Sequence, residues 1–204
     1  MKINPTTVFL EVGHKIASHP WVYDRIQTLA GQAQSFKRIS KLTAALHPEI
    51  VVDVGGGTGT WRSLWPTNCR YICLDIELPK LKGFRSKVPG GLAILSDATR
   101  MPIAGAAADV VICMAVLHHL TDAMSDKVLR EAFRVLKPGG YLILLDPVLN
   151  RQRLAGRILW RLDRGSYPRT EEDLRDRLES RFRIIHWEKF AIYHEYVFGI
   201  GARP

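Results

Sequence analysis

The stretch from Val51 to Trp61 constrains the fold of this chain more than any other. An apolar run ends in the acid Asp53, and glycines follow at alternate positions: Gly55, Gly57 and Gly59. This pattern predicts a buried β-strand, a turn in which glycine takes a positive φ, and then a helix whose free N–H groups point at a ligand. A carboxylate at the strand end suits a ligand with cationic or hydroxyl groups better than a bare pyrophosphate.

Two other glycine-rich motifs fit this stretch less well. The dinucleotide fingerprint Gly-x-Gly-x-x-Gly matches at Gly55 and Gly57, but Thr60 stands where its third glycine belongs. A P-loop requires Gly-Lys-Ser/Thr after the glycines, and Thr60 and Trp61 do not supply it.

Composition sets wide limits. The 204 residues fit one domain, and 47% are hydrophobic. We expect a cytoplasmic protein, because no apolar run is long enough to span a membrane and the N-terminus lacks a signal-peptide core. Cys69, Cys73 and Cys113 lack metal-ligand spacing, so we expect no metal and interpret them as small buried hydrophobes. The net charge of +9 is compatible with nucleic acid, an anionic membrane, an acidic substrate or simply a basic surface.

The order of apolar runs predicts an α/β protein. Residues 4–47 have helical spacing and are followed by a first strand at 50–54. Further strands are predicted at 71–75, 92–97, 109–114 and 141–146, with an amphipathic helix at 126–136 stopped by Lys137-Pro138-Gly139-Gly140. Continuous apolar strands joined by helices indicate a parallel sheet covered on both faces, with the ligand beyond the carboxyl ends of the strands. Acids fall at four of those ends: Asp53, Asp75, Asp97 and Asp146.

The last quarter of the chain predicts an Arg-rich helix over 151–164, a helix over 170–180 and two final strands at 181–186 and 191–202. Thr170 at the N-cap and Asp173 at N3 form a capping box for the second helix. We therefore expect one domain over 1–204, with a helical cap at 1–47, a ligand-binding core at 50–147 and a substrate-side region at 150–204.

Several motifs occur together in a fixed order: Asp53-Val54-Gly55-Gly56-Gly57-Thr58-Gly59, Leu74-Asp75-Ile76, Ser96-Asp97-Ala98, Val116-Leu117-His118-His119-Leu120 and Leu136-Lys137-Pro138-Gly139-Gly140. On these motifs the chain resembles the class I S-adenosylmethionine-dependent methyltransferases, in particular the type 11 group, from about residue 51 to 147. The resemblance implies a Rossmann-like, doubly wound, seven-stranded sheet that is mostly parallel, with the last strand antiparallel and inserted.

The resemblance also implies S-adenosyl-L-methionine as the cofactor. Its methionine part would be held by the glycine turn, its ribose hydroxyls by Asp75 and its adenine amino group by Asp97. Carboxylates suit both roles as acceptors. The residues around these acids suggest further contacts: the backbone N–H of Ala98 at the adenine edge, Ile76 and Met114 on the two ring faces, and Asp53 at the amino group. Trp61 is equally compatible with packing and with cofactor contact.

Three residues are candidates for catalysis. His118 and His119 follow the fourth strand, close to where the methyl group would lie, but the same His pair occurs in this family across different substrates. We expect one of them to be structural, with its ring bonded to the backbone, and a proton-transfer role is the minority interpretation. Asp146 is a candidate base, substrate ligand or loop anchor. His194 and Glu195 alternate in the last strand, so at most one of them faces a site.

The function predicted from this sequence is methyl transfer to a small-molecule or lipid-like acceptor, and an anionic acceptor is compatible with this function. The N-terminal helices, with Trp21 and Tyr23, would close over the acceptor, and the Arg-rich helix is either a surface helix or an anion-binding rim that contacts an anionic membrane. An RNA methyltransferase is an alternative, but nucleic acid is disfavoured because the fourth strand ends in Cys113-Met114-Ala115-Val116 rather than Asn/Asp-Pro-Pro-aromatic. A non-catalytic binding protein on the same fold is the other alternative, and a nicotinamide oxidoreductase ranks last.

Overall fold

A computed structural model describes residues 32–150, 167–192 and 195–204. The described strands are β1 (Ile50–Val54), β2 (Arg70–Asp75), β3 (Leu92–Leu95), β4 (Ala108–Met114), β5 (Leu136–Val148), β6 (Arg183–Ala191) and β7 (Glu195–Ala202). The described α-helices are α1 (Gln32–Thr43), α2 (Leu78–Lys87), α3 (Asp122–Val135) and α4 (Glu171–Glu179).

All seven strands form one sheet in the order β3-β2-β1-β4-β5-β7-β6. Strands β1 to β5 pair in parallel, whereas β7 lies antiparallel between β5 and β6. This topology confirms the predicted doubly wound sheet with an inserted antiparallel last strand. It also brings the carboxyl ends of β1, β2, β3, β4 and β5 to one edge.

Each face of the sheet carries its own apolar core, because side chains alternate along the central strands. One core joins Val52, Val111 and Leu144 to helices α3 and α4. The other joins Val51, Ile112 and their neighbours to α1 and α2. Helices on both faces explain why the central strands have continuous apolar sequences.

The predicted helix after the glycine turn is absent among the described residues. A short 3-10 turn over Arg62–Leu64 takes its place. Pro66 explains the difference, because a residue before proline is pushed out of the α region, and Trp65 is extended with φ −114° and ψ 150°. The Arg62 guanidinium closes the turn by donating to the carbonyl oxygens of Trp65 and Thr67.

Two predicted boundaries around the fourth crossover are wrong. Helix α3 begins at Asp122 rather than 126, because the Thr121 hydroxyl caps it by accepting from the Met124 N–H. Strand β5 begins at Leu136 rather than 141. The Pro-Gly-Gly segment that we interpreted as a stop continues the strand, since Gly139 and Gly140 exchange backbone hydrogen bonds with Arg203.

The capping prediction at the last described helix is confirmed for its N-cap, where the Thr170 hydroxyl accepts from the Asp173 N–H. The Asp173 carboxylate pairs with Arg177. Both predicted final strands exist. Their boundaries differ from the prediction, because β6 continues to Ala191, the predicted start of the last strand, and β7 begins at Glu195. The register of β6 against β7 shifts between Ile184 and His186, and this shift interrupts the alternation of side chains between the two sheet faces from which a strand is predicted.

Some predictions fall outside the described residues. They are residues 1–31 of the predicted N-terminal cap, with Trp21 and Tyr23, the Arg-rich helix of residues 151–164, and His194. Within the described ranges, no helix is both long and apolar enough to cross a membrane. The same ranges contain no group of three or more His, Cys, Asp or Glu residues arranged to hold a metal ion.

Candidate active site

The glycine turn has the backbone that its sequence predicts. Gly55, Gly57 and Gly59 have φ values of +66°, +56° and +81°, which L side chains rarely adopt. The turn is also tightly packed: a Cβ added to Gly55 would lie 2.6 Å from Val116 Cγ2, and one added to Gly59 would lie 2.6 Å from Phe84 Cδ2. The conformation therefore favours glycine at all three positions, and close packing reinforces this at Gly55 and Gly59.

Asp53 lies beneath this turn and is fully buried. Its Oδ2 accepts a hydrogen bond of 2.5 Å from the Tyr71 hydroxyl, while its Oδ1 is buried without a hydrogen-bond partner within the described part of the chain. Burial raises the pKa of Asp53 to about 7, opposed by the Tyr71 hydrogen bond and reinforced by the nearby Asp75 carboxylate. A Cβ at Gly56 would lie 2.3 Å from Asp53 Oδ2, so the turn closes directly onto this carboxylate.

Asp75 connects the end of β2 to the turn. Its Oδ2 accepts from the Gly57 N–H at 2.9 Å, and its Oδ1 accepts from the Glu77 N–H at 2.8 Å. Burial raises its pKa, although Lys80 and the two backbone donors oppose the shift. A carboxylate has about four acceptor positions, so Asp75 retains capacity for two hydroxyl donors after holding the turn.

Apolar side chains are exposed beside Asp75. Ile76 is 73% exposed and Leu95, which pairs with Asp75 in the sheet, is 56% exposed. Asp97 is exposed just beyond β3 and accepts from the Thr99 N–H, and Ala98 is partly buried. Leu95 was missed by the sequence analysis, because a short edge strand with mixed burial has no clear alternation. Exposed apolar groups among carboxylates provide a surface suited to a flat ring with polar edges.

Two other predicted cofactor residues are buried in the core. Met114, at the end of β4, is 6% exposed. Trp61 is 7% exposed and stacks on Phe36 of α1, with ring centroids 6.3 Å apart. The packing role of Trp61 is therefore present in the structure, and cofactor contact by Trp61 and Met114 stays a prediction.

His118, in the turn after β4, and Asp146, near the end of β5, meet at the same edge of the sheet. His118 Nδ1 lies 3.0 Å from Asp146 Oδ1, and both side chains are buried. His119 is exposed, and its ring lies against that of His118 with centroids 3.9 Å apart. Both residues are candidates from the sequence, but their pairing is not predictable from it, because 28 positions separate His118 from Asp146.

The connection from β4 to His118 is strained. Ala115 has a φ of +56°, although it is not glycine, and such a residue costs roughly 1–2 kcal/mol. Its N–H donates to the Leu145 carbonyl at 2.6 Å, which fixes this backbone against β5. Nothing in the sequence indicates this conformation, since alanine normally favours helix.

A second concavity lies at the opposite end of the sheet. It encloses about 710 Å³ and is lined by residues at the amino ends of β1 and β2, including His47, Glu49 and Arg70. The motif residues lie at the carboxyl edge instead, so this cavity is not the candidate active site.

The central part of the chain matches a known protein family. Residues 52–144 match the family model described as "Methyltransferase domain". The chain is 33% identical over 128 residues to tRNA (carboxymethyluridine(34)-5-O)-methyltransferase of Arabidopsis thaliana, covering 60% of this chain and 31% of that protein. It is 30% identical over 165 residues to ubiquinone/menaquinone biosynthesis C-methyltransferase UbiE of Vibrio campbellii, covering 73% of this chain and 62% of that protein.

One solved structure has a similar fold at low sequence identity. The 1,6-didemethyltoxoflavin-N1-methyltransferase of Burkholderia thailandensis, with bound 1,6-didemethyltoxoflavin and S-adenosylhomocysteine, aligns with a TM-score of 0.69 at 14% identity, covering 100% of this chain and 92% of that one. The fold and the motif-bearing edge thus define a Rossmann-like methyltransferase domain. The family match over residues 52–144 and the methyltransferase relatives support the recognition of this chain as a class I S-adenosylmethionine-dependent methyltransferase.

S-Adenosylmethionine is the cofactor of this class, and the residues present fit it. The buried Oδ1 of Asp53 lacks a partner among the described residues, Asp75 has spare acceptor positions, and Ile76 and Leu95 expose apolar surface beside them. These are the groups that a ligand with an ammonium, a ribose and an adenine ring requires.

Proposed function

We propose that this chain transfers the methyl group of S-adenosylmethionine to a small-molecule or lipid-like acceptor. The observation that carries the proposal is the arrangement along one sheet edge, where Asp53, Asp75 and the glycine turn are followed by the buried His118–Asp146 pair. The first group suits the cofactor, and the second is a proton acceptor two strands away in the same sheet.

The cofactor-binding roles follow from the chemistry of each residue. The glycine turn of Gly55, Gly57 and Gly59 would hold the methionine part, with Asp53 orienting its amino group. Asp75 would accept from the ribose hydroxyls, and Asp97 with the Ala98 N–H would bind the adenine edge beside the exposed side chains of Ile76 and Leu95. When bound, S-adenosylmethionine supplies a methyl group already activated on a sulfonium sulfur. The work of the protein is then to place the acceptor in line and to exclude water.

The buried pair of His118 and Asp146 suggests a role for the acceptor side of the site. The Asp146 carboxylate orients the imidazole of His118, which would remove a proton from an acceptor whose nucleophilic atom carries one. His119 is exposed against the same ring and would contact the acceptor rather than store a proton. Orienting His118 fits the contact of Asp146, and this role differs from the base, substrate ligand or loop anchor that the sequence predicts.

A small or lipid-like acceptor is supported by the surroundings of β6 and β7. Phe190 stacks on Tyr196 at 5.9 Å, and Tyr196 lies opposite Pro147 near the end of β5. The guanidinium of Arg38 lies 4.7 Å from the centre of the Phe190 ring. Phe190 and Tyr196 are largely buried and Arg38 is already paired with Glu188, so this aromatic pair supports the apolar character of the acceptor side but not an anionic group on the acceptor. One relative's name refers to quinone biosynthesis, which is consistent with this class.

RNA is a second candidate acceptor. It is favoured by the net charge of +9 and by the relative named for tRNA methylation. That match covers only 31% of the relative, and the β4 end lacks the motif typical of base-amine methylation. Tight RNA binding with a steep salt dependence would favour this candidate over the first.

The proposal is tested in two steps. Calorimetry should give micromolar affinity for S-adenosylhomocysteine and much weaker binding of NADH, and Asp75→Ala should weaken the former by roughly 1.5–3 kcal/mol, the scale for a charge-assisted hydrogen bond. Labelled S-adenosylmethionine is then incubated with the protein and with separate lipid, water-soluble and tRNA fractions of a cell extract. Label in the lipid or small-molecule fraction, absent with Asp75→Ala, supports the proposal. Label confined to tRNA, or tighter binding of NADH, overturns it.

A further inference from the structure

Arg169 is a buried arginine outside every motif considered so far. Its side chain is 5% exposed. It lies between Pro168 and Thr170, the N-cap of α4. A buried guanidinium has a large desolvation cost that only well-placed partners offset. The positions of those partners therefore indicate what the residue does.

The guanidinium holds both ends of the turn that carries His118. Its Nη1 donates to the Leu117 carbonyl and its Nη2 to the Leu120 carbonyl, each at 2.7 Å, and its Nε donates to Asp122 at 3.0 Å. Leu117–His119 is a 3-10 turn, a geometry that is poorly stabilised by its own hydrogen bonds. The rigid fork of the guanidinium fixes the separation of the two carbonyls, which a single ammonium cannot do.

The backbone of the same segment is fixed to β5 and to the histidine. The Arg169 carbonyl accepts from the Leu149 N–H at 2.7 Å, one residue past β5, and the Tyr167 N–H donates to the His118 carbonyl at 3.1 Å. Asp146 belongs to β5 itself. Arg169 therefore connects the strand that carries Asp146 to the turn that carries His118.

We propose that Arg169 is a positioning residue for the reaction, which holds the His118 imidazole against the Asp146 carboxylate. The proposal rests on the proposed function, because it matters for catalysis only if His118 takes the proton. Arg169 acts through the backbone of the turn and contacts neither of the two side chains that it aligns in any hydrogen bond of the described residues.

A purely architectural role is the competing interpretation, because Arg169 also pairs with Asp122 on α3 and approaches Asp173 on α4. Arg177 offers a matched control. It is partly buried and pairs with the same two acids and with Asp126. The hydrogen bonds described for it do not include the Leu117–Leu120 carbonyls. Loss of Arg177 disturbs the contact between α3 and α4 without removing a tie to the histidine turn.

The test uses the full chain with S-adenosylhomocysteine added and follows the His118 Nδ1–H signal by NMR. That signal is assigned among the seven histidines by its absence in His118→Gln. The variants are Arg169→Met, Arg169→Lys and Arg177→Met, and each is measured for thermal unfolding and for S-adenosylhomocysteine affinity by calorimetry. Arg169→Lys keeps the charge beside Asp122, so it decides the question if Arg169→Met fails to fold.

We expect exchange of the His118 Nδ1 proton with water to become at least about tenfold faster in both Arg169 variants and to stay at the wild-type rate in Arg177→Met. We also expect the S-adenosylhomocysteine affinity of all three variants to match that of the wild type. This result would show that the faster exchange does not come from a damaged cofactor site. If the His118 signal and its exchange rate in Arg169→Lys match wild type, or if Arg177→Met changes them equally, Arg169 is only a structural tie and the proposal is wrong.

Discussion

The Nδ1 atom of His118 lies 3.0 Å from the Oδ1 atom of Asp146, and both side chains are almost fully buried. Because a carboxylate only accepts hydrogen bonds, this contact places the proton of a neutral imidazole on Nδ1 and leaves Nε2 as the basic nitrogen. The two residues come from different elements, the turn after β4 and strand β5. The sheet thus brings together two candidate residues that the sequence marks separately but whose pairing no local pattern indicates.

Asp146→Asn should reduce methyl transfer by about 10²- to 10⁴-fold, the usual contribution of a positioned base. An asparagine amide can donate to Nδ1 and so favours the tautomer in which Nε2 carries the proton. Turnover is measured on the acceptor fraction identified above, and S-adenosylhomocysteine affinity should stay within about twofold of wild type because Asp146 lies outside the cofactor set.

His119→Gln is the control for this prediction, since His119 is exposed beside the same ring. We expect it to raise the acceptor KM with a smaller effect on kcat. A full loss of kcat in His119→Gln together with normal turnover in Asp146→Asn would show that the roles are reversed.

Cofactor binding should depend on pH through Asp53. Its pKa is raised to about 7 by burial, and the ammonium group of the cofactor favours the ionised carboxylate, so binding releases a proton below that pH. S-Adenosylhomocysteine affinity should therefore rise as pH increases towards about 7, by at most about tenfold per unit, and level off above it. Calorimetry in two buffers of different ionisation heat measures both the affinity and the proton release.

Asp53→Asn should bind more weakly and show no such rise. An affinity that falls between pH 6 and 7 in the wild-type protein would contradict the placement of Asp53 beside the amino group.

Tyr71→Phe should destabilise the protein by about 1–3 kcal/mol, because it removes a buried hydrogen bond to a carboxylate. The folded-state pKa of Asp53 is raised above its unfolded value, so the stability due to its protonation is present at low pH and is lost as pH rises through about 7. The Tyr71 hydroxyl limits that loss. Denaturant unfolding should therefore show a larger effect of the substitution at pH 8 than at pH 6.

Tyr141→Phe serves as the comparison, since Tyr141 of β5 pairs with Val110 and Ala202 in the sheet rather than with a carboxylate. The Tyr141→Phe substitution should change the free energy of unfolding by the same small amount at pH 6 and pH 8. Equal effects of Tyr71→Phe at both pH values would mean that the hydroxyl does not support the charge on Asp53.

Gly56→Ala should impair the cofactor site because its Cβ would lie 2.3 Å from Asp53 Oδ2 and 2.8 Å from Cys73 Sγ. We expect S-adenosylhomocysteine affinity to fall by at least about tenfold. Gly139→Ala is the matched control, with a φ of +77° and no atom within 4 Å of the added Cβ. It should cost about 1–2 kcal/mol of stability through backbone strain and leave the affinity unchanged, as calorimetry and denaturant unfolding would show.

The glycine turn and the sheet were predictable from local sequence. Glycines at alternate positions after a buried strand require positive φ values at Gly55, Gly57 and Gly59, and the structure has them. Apolar runs separated by helices indicate a parallel sheet. The wrong predictions have two causes: next to Pro66 a second local signal prevents the helix after β1, whereas a tertiary contact, backbone pairing with Arg203, extends β5 through a Pro-Gly-Gly segment.

The sequence by itself therefore determined the class of fold, the edge that carries the acids and the residues proposed for the cofactor, because each of these depends on spacing within a few residues. Only the tertiary structure decided which distant side chains meet. His118 faces Asp146 across 28 residues, Tyr71 faces Asp53 across 18, and Arg169 reaches the carbonyl of Leu117 across 52. Contacts between separate strands and turns depend on sheet register and packing, and no periodicity in the chain encodes them.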